Sequence, residues 1–209
     1  MDQRVSCSKC GHEFPVGYAT RSDREPCPDC GGQGLSVEIH AADELNVAME
    51  VSIGVGPSEH DRTSARRWAE AAAELASLEQ PLPDAEHKTI FDAQRRLHHV
   101  LVDLWALREA VIREGVAKQV VDTAIKGDPV GLALAHDLGN VAKHGPLKNP
   151  PMSPDKPTFD GIRAERSGSG GPWRFRAVIQ HGQHERDGLK VARHAVDKWK
   201  HLWKQWNLH

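Results

Sequence analysis

The amino-acid sequence predicts an α+β protein that is mostly helical. Three features lead to this fold class: two Cys-x2-Cys pairs near the amino terminus, a stretch of alternating apolar and polar residues, and apolar residues at helical spacing through most of the remaining chain. The 209 residues are enough for a small amino-terminal unit and one further domain of about 150 residues with its own core.

The cysteine pairs have the spacing of a tetrahedral metal site with four thiolate ligands. The four cysteines are Cys7, Cys10, Cys27 and Cys30. Because the sequence shows no secretory signal, we expect a reducing compartment and metal binding rather than two disulfides. A closed shell of four cysteines leaves no position for a catalytic water, so the expected cofactor is one structural Zn²⁺ per chain.

The amino-terminal segment has few sizeable apolar residues, so metal binding must supply much of its folding free energy. With its two cysteine knuckles, the segment resembles a zinc ribbon, which we place at residues 1–40. A connecting strand is expected at 41–57, because apolar residues from Leu45 to Val55 alternate with polar or small ones before the Gly56-Pro57 pair.

Four helices are expected after this strand. The first follows a capping-box sequence at 58–61 and ends before Pro81. The second runs from about 84 to 114 and carries an apolar stripe at helical spacing, and a short third helix covers 116–126. The fourth starts with Asp128 as its N-cap and ends at His144, before a Gly-Pro pair.

The carboxy-terminal part combines a hairpin and a helix. Two strands around a turn rich in glycine and serine predict a β-hairpin at 158–180, and an amphipathic helix is expected at 188–206. We expect the apolar face of this helix in the core and its basic face in solvent. The apolar face carries Ala192, Ala195, Val196, Trp199, Leu202, Trp203 and Trp206, and the basic face carries Lys190, Arg193, Lys198, Lys200 and Lys204.

The charge of the chain is unevenly distributed. The formal net charge is −2, but residues 162–209 hold ten Lys and Arg against four Asp and Glu, which leaves seventeen against twenty-five for the rest. A basic carboxy-terminal end on an acidic body favours an RNA partner. No apolar run approaches the roughly 20 residues that span a bilayer, so we expect no membrane partner and a cytoplasmic location.

The fourth helix holds the second group of candidate site residues. Asp137, Asn140 and His144 lie at i, i+3 and i+7 and therefore share a face, with Lys143 beside them. A histidine in the last helical turn feels the negative end of the helix dipole, which favours its protonated form and suits a proton donor. The alternative is that Lys143 and His144 bind the carboxy-terminal carbonyls and Asn140 bonds to a neighbouring helix.

The segment from Asp137 to His144 resembles the functional motif of HEPN domains, helical bundles that often cleave or bind RNA in defence and toxin systems. The resemblance implies a HEPN-like domain over 58–209, with His144, Asn140, Lys143 and Asp137 as catalytic candidates. It also implies a homodimer and metal-independent ribonuclease chemistry. The chain departs from the motif at Gly139, where the family has arginine, and Lys143 is the nearest substitute for that charge.

The other histidines are expected to face solvent. His98 and His99 follow two arginines on the second helix, which is typical of a solvated helix face. Five more are spread through the basic end and are also expected in water: His181, His184, His194, His201 and His209.

Two hypotheses for function follow. In the first, the protein is associated with RNA or a nucleotide and is a degenerate ribonuclease of a defence or toxin system. In the second, it is a non-catalytic interaction or scaffold protein that uses the ribbon to recognise a protein partner. A classical metabolic enzyme is disfavoured because the sequence has no phosphate-binding glycine loop, nucleophile elbow or open metal site.

Overall fold

The structure is a computed structural model that describes residues 2–15, 18, 25–40, 63–147, 149–166, 168 and 170–208. Its elements in chain order are β1 (Asp2–Cys7), β2 (Glu13–Phe14), β3 (Leu35–His40), α1 (Ser64–Leu78), α2 (His87–Arg113), α3 (Lys118–Lys126), α4 (Leu132–His144), β4 (Pro157–Arg166), β5 (Arg174–His181), β6 (His184–Asp187) and α5 (Gly188–Gln205). This inventory confirms the predicted α+β class with a majority of helix. The predicted strand at 41–57 and the capping box at 58–61 lie outside the described residues.

The strands form one antiparallel sheet in the order β2-β1-β3-β4-β5-β6. The predicted hairpin is confirmed as β4 and β5, and β6 adds a third strand to it. Strand β3 pairs with β4, so that Val37 lies opposite Val5 on one side and Ala164 on the other. The strands of the amino-terminal segment therefore continue the sheet of the carboxy-terminal hairpin.

The helices follow their predicted order with shifted ends. Helix α1 has Thr63 as its N-cap, whose side chain accepts a hydrogen bond from the Arg66 amide at 3.3 Å. Helix α4 begins four residues after Asp128 rather than directly behind it, because residues 129–131 form a turn first. Asp128 still acts as a cap, since its Oδ2 accepts a hydrogen bond from the Leu132 amide at 3.3 Å.

Helix α2 lies at the centre of the molecule. It packs against α1, α4 and α5 and against strands β4 and β5, which explains why most of its apolar stripe is buried. Helix α5 covers β5 and β6 and also contacts α1, where the Trp68 Nε1 donates a hydrogen bond to the Val196 carbonyl at 2.9 Å. Within the described ranges, no helix is long and apolar enough to cross a bilayer.

The predicted burial of the apolar face of the carboxy-terminal helix is confirmed, most fully at Trp199. Trp199 is only 2% exposed, while Leu202, Trp203 and Trp206 are half-buried against the same core. Trp203 meets Trp68 of α1 edge-on, with 5.4 Å between ring centroids. The tryptophans therefore join α5 to the helical core instead of forming a free stacking surface.

Candidate functional site

The two cysteine knuckles have the same backbone geometry. In each one, the amide of the first cysteine donates to a carbonyl five residues later, at 2.8 Å for both Cys7 and Cys27. The amide of the following glycine donates back to that cysteine's carbonyl, at 2.9 Å from Gly11 and 2.8 Å from Gly31. Both glycines have positive φ values, 78° and 66°, which only glycine adopts at little cost. The sequence thus encodes two matching tight turns.

These turns bring the four sulfur atoms together. All four Sγ atoms lie within 4.8 Å of one another, and the Cys7–Cys30 and Cys10–Cys27 separations are both 3.6 Å. A disulfide requires about 2.05 Å. A tetrahedral ion with bonds of about 2.3 Å to sulfur requires sulfur atoms roughly 3.8 Å apart. The arrangement therefore fits a metal ion, and the four cysteines predicted as ligands form the site.

The electrostatics of the cluster also favour a cation. Burial acts to raise the pKa of Cys7, but the Lys9 and Cys10 amides and the neighbouring thiols lower it to about 7. For Cys10 the His12 amide acts to lower the pKa, whereas the thiols of Cys30, Cys27 and Cys7, together with burial, raise it to about 12. The first thiolate forms near neutral pH, and its negative charge opposes ionisation of the next thiol. A bound divalent cation offsets that negative charge, so all four cysteines can ionise.

Contacts around the sulfur cluster tie the knuckles to each other. His12, which follows the first knuckle, lies with its Nδ1 2.8 Å from the Asp29 Oδ2 of the second. Phe14 stacks on Tyr18 with 4.2 Å between centroids, and the Tyr18 hydroxyl donates to the Glu25 carbonyl at 2.8 Å. These contacts hold the segment around the metal centre in place of a large apolar core.

At the second candidate site, Asp137 is buried with 2% exposure and holds a loop. Its Oδ1 accepts from the Met152 amide at 3.0 Å, and its Oδ2 accepts from the amide and hydroxyl of Ser153 at 2.8 and 2.7 Å. Burial acts to raise the pKa of Asp137, but His136, 3.5 Å away, and the hydrogen bonds from Ser153 and Met152 hold the pKa below its usual range. Asp137 therefore anchors the segment that leads into β4.

The remaining candidates lie near the carboxy-terminal end of α4. Asn140 is half-buried, while Lys143 and His144 are exposed. The Lys143 Nζ lies 4.6 Å from the centroid of the Trp105 ring, and the His144 ring meets that indole edge-on at 5.5 Å. Trp105 belongs to α2, and the sequence carries no sign of this role, because the packing of α2 on α4 creates it.

Gly139, at the position of the family's arginine, lies in the seam between α4 and α2. A Cβ atom built there would collide with the Leu101 carbonyl oxygen and lie 2.6 Å from the Trp105 Cβ. No side chain fits without moving one helix backbone. Glycine is therefore required by helix packing at this position, and an arginine is excluded from it in this arrangement.

Two histidines expected in solvent are instead enclosed. His98 packs on Phe159 of β4 at 4.6 Å between centroids, and burial, followed by the charge of His99, lowers its pKa to about 4. His181 is 3% exposed. The Nε2 atoms of both are inaccessible to solvent and have no hydrogen-bond partner among the described residues. The expectation was right for four others, which are exposed: His99, His184, His194 and His201. His209 lies outside the described residues.

The basic face of α5 is partly neutralised within the molecule. Arg193 binds both carboxylate oxygens of Glu79, with 2.8 Å from Nε to Oε1, and the Lys200 ammonium lies 5.9 Å from the Trp68 ring centroid. All four lysines of this face remain exposed: Lys190, Lys198, Lys200 and Lys204. The positive charge available to a partner is therefore smaller than the sequence suggested.

No family model, curated protein or solved structure matches this chain. The zinc-ribbon resemblance is supported by the clustered cysteines, whereas the HEPN-like resemblance rests on its motif residues alone.

Proposed function

We propose that this protein is a zinc-ribbon protein that associates with RNA through the end of α4 and does not cleave it. The observation that carries the RNA part is the pairing of two exposed basic side chains, Lys143 and His144, on one indole, Trp105. RNA is the partner that the HEPN-like motif implies, and the nuclease chemistry of that family is not expected here.

Zinc is the metal we propose because all four ligand atoms are sulfur. A set of four thiolates in tetrahedral spacing suits Zn²⁺, which has no redox chemistry and fills a closed structural site. The four cysteines would supply every ligand, and the ion would stabilise a segment that has little apolar core. Metal analysis of protein purified under reducing conditions tests this step. We expect about one zinc per chain, and less than half an equivalent would contradict it.

The geometry of α4 supports the proposal of binding without cleavage. The carboxylate of Asp137 is committed to Met152 and Ser153, and Gly139 leaves no room for the motif's arginine. Lys143 remains as a fixed positive charge, because a cation over an aromatic face is held in place by the ring's quadrupole. An ammonium attracts phosphate as a point charge but lacks the planar fork that grips a transferring phosphate.

Salt-dependent binding of a labelled single-stranded oligoribonucleotide tests the RNA partner. We expect Lys143→Ala to weaken binding and to reduce the slope of log K against log salt by about one. The matched control is Lys126→Ala, because Lys126 is also exposed and in the last turn of its helix, α3. Equal loss in both variants would indicate non-specific attraction, and no RNA binding at low salt would refute the proposal. Cleavage that is lost in His144→Ala would show that catalysis was wrongly left out.

One observation favours the second candidate, a protein partner at the ribbon. Strand β2 pairs only with β1 among the described strands, so it is an edge beside the half-buried Phe14–Tyr18 stack. An edge strand with aromatic side chains can accept a partner strand. Association that persists at high salt and is lost in Phe14→Ser would support this candidate over RNA.

A further inference from the structure

The four cysteines of the metal centre differ in exposure. Cys10 is exposed and Cys30 is half-buried, whereas Cys7 and Cys27 are buried. The Cys10 sulfur contacts that of Cys27 at 3.6 Å, and all four sulfur atoms lie within 4.8 Å of one another. Cys7 and Cys30 form the other close pair, also at 3.6 Å. Each close pair therefore joins one knuckle to the other.

We propose that Cys10 is an oxidation site and that Cys27 resolves the oxidised sulfur into a disulfide between the two knuckles. The inference rests on the proposed zinc site, because a metal-bound cysteine is held as the thiolate, which is the form that reacts with oxidants. Exposure then selects Cys10, because it is the one exposed cysteine of the four. The Cys27 sulfur, in contact with that of Cys10 at 3.6 Å, is positioned to react next.

The chemistry requires a hydroperoxide as the oxidant and transfers two electrons. The Cys10 thiolate attacks one peroxide oxygen, the O–O bond breaks, and protonation gives a sulfenic acid and water. The Cys27 thiolate then attacks the Cys10 sulfur, a S–S bond forms, and the hydroxyl leaves as a second water after taking up a proton. Two thiolates are oxidised and one hydrogen peroxide is reduced to two water molecules.

The pairing across knuckles determines what oxidation does to the fold. A Cys10–Cys27 disulfide removes two of four metal ligands, so the zinc is released, but it still connects the two knuckles. The backbone hydrogen bonds inside each knuckle, such as Gly11 to Cys7 and Gly31 to Cys27, require no change. A disulfide within one knuckle would instead leave the two knuckles unconnected.

Hydrogen peroxide treatment of the zinc-loaded, full-length protein tests the inference. Zinc content is measured first in the reduced protein, so that failure of the zinc proposal is seen separately. Released zinc is then measured with a chromogenic chelator while disulfides are mapped by mass spectrometry. Trypsin cleaves after Lys9 and separates Cys7 from Cys10, and cleavage before Asp29 separates Cys27 from Cys30. All four pairings between a cysteine of one knuckle and one of the other, and both pairings within a knuckle, are therefore distinguishable.

We expect one zinc released for each first disulfide, with that disulfide joining Cys10 to Cys27, and recovery after dithiothreitol and zinc. The oxidised protein should melt at a higher temperature than reduced protein treated with a chelator. A first disulfide of any other pairing, or sulfinic acid at Cys10 with no disulfide, would overturn the proposal.

Two matched variants separate the role of Cys10 from that of Cys30. Each variant lacks one ligand and is tested in excess zinc. Cys30→Ser should still form the Cys10–Cys27 disulfide, while Cys10→Ser should lose the fast reaction with peroxide. Alkylation of the wild type with substoichiometric N-ethylmaleimide should label Cys10 before Cys30, and the reverse order would contradict the assignment. The wild-type mapping decides the matter even where a variant fails to fold.

Discussion

Enclosure of His98 predicts a loss of stability in mild acid. In the folded protein the pKa of this imidazole is lowered to about 4, because it is buried against Phe159 and then also repelled by His99. In the unfolded chain the pKa is about 6.5. The unfolded state therefore binds a proton more readily, so stability is full above about pH 6.5 and is lost as the pH falls towards 4.

The size of this loss follows from the two pKa values. Linkage gives about 2 kcal/mol between pH 8 and pH 5 for this one histidine. The assay is urea unfolding at both pH values for the wild type, for His98→Leu and for the exposed control His99→Leu. We expect His98→Leu to show about 2 kcal/mol less pH-dependent loss than the wild type, and His99→Leu to retain most of it. Equal losses in His98→Leu and wild type would refute the burial of a neutral His98.

Three further changes test the packing around the candidate sites. Gly139→Ala should lower stability, because overpacking of about 1 to 3 kcal/mol exceeds the helix propensity gain of about 1, while Gly170→Ala, which has open space around it, should melt like the wild type. Asp137→Ala should cost about 2 to 6 kcal/mol in urea unfolding, since two amides lose their acceptor, and a cost under 1 would mean that water replaces it. Trp199→Ala should cost about 3 to 5 kcal/mol, and an unchanged melt would contradict its burial.

Local sequence patterns predicted the elements because each pattern has a local physical cause. The apolar stripe of α2 and the cysteine spacing both describe neighbours within a few residues, and the structure has the long helix and the sulfur cluster as predicted. Strand β6 was missed because its four residues, from His184 to Asp187, are all polar and carry no alternation. Its position is set by pairing with β5, not by its own pattern.

Pairing between distant segments was beyond the reach of sequence periodicity. Val37 lies beside Ala164, and no local signal states which strand another strand will join. The same limit explains the wrong expectation for His98, since Phe159 is distant in sequence. For Asp137, helical spacing singled out the residue, but its hydrogen-bond donors are backbone amides of a loop that leave no trace in the sequence.

Strand β4 determines how the two candidate sites relate to each other. Its first residue, Pro157, follows the loop that Asp137 anchors, and its last residue, Arg166, lies opposite Leu35, which in turn lies opposite the metal ligand Cys7. Ten strand residues at about 3.3 Å each separate these ends by roughly 30 Å. Because a metal acts as a Lewis acid only on groups that it contacts, an ion in the ribbon is too distant to act on a phosphate held at the end of α4. Among the described residues it is the shared sheet that connects the ribbon to that end, so the proposed metal and RNA sites are separate and their coupling would be mechanical.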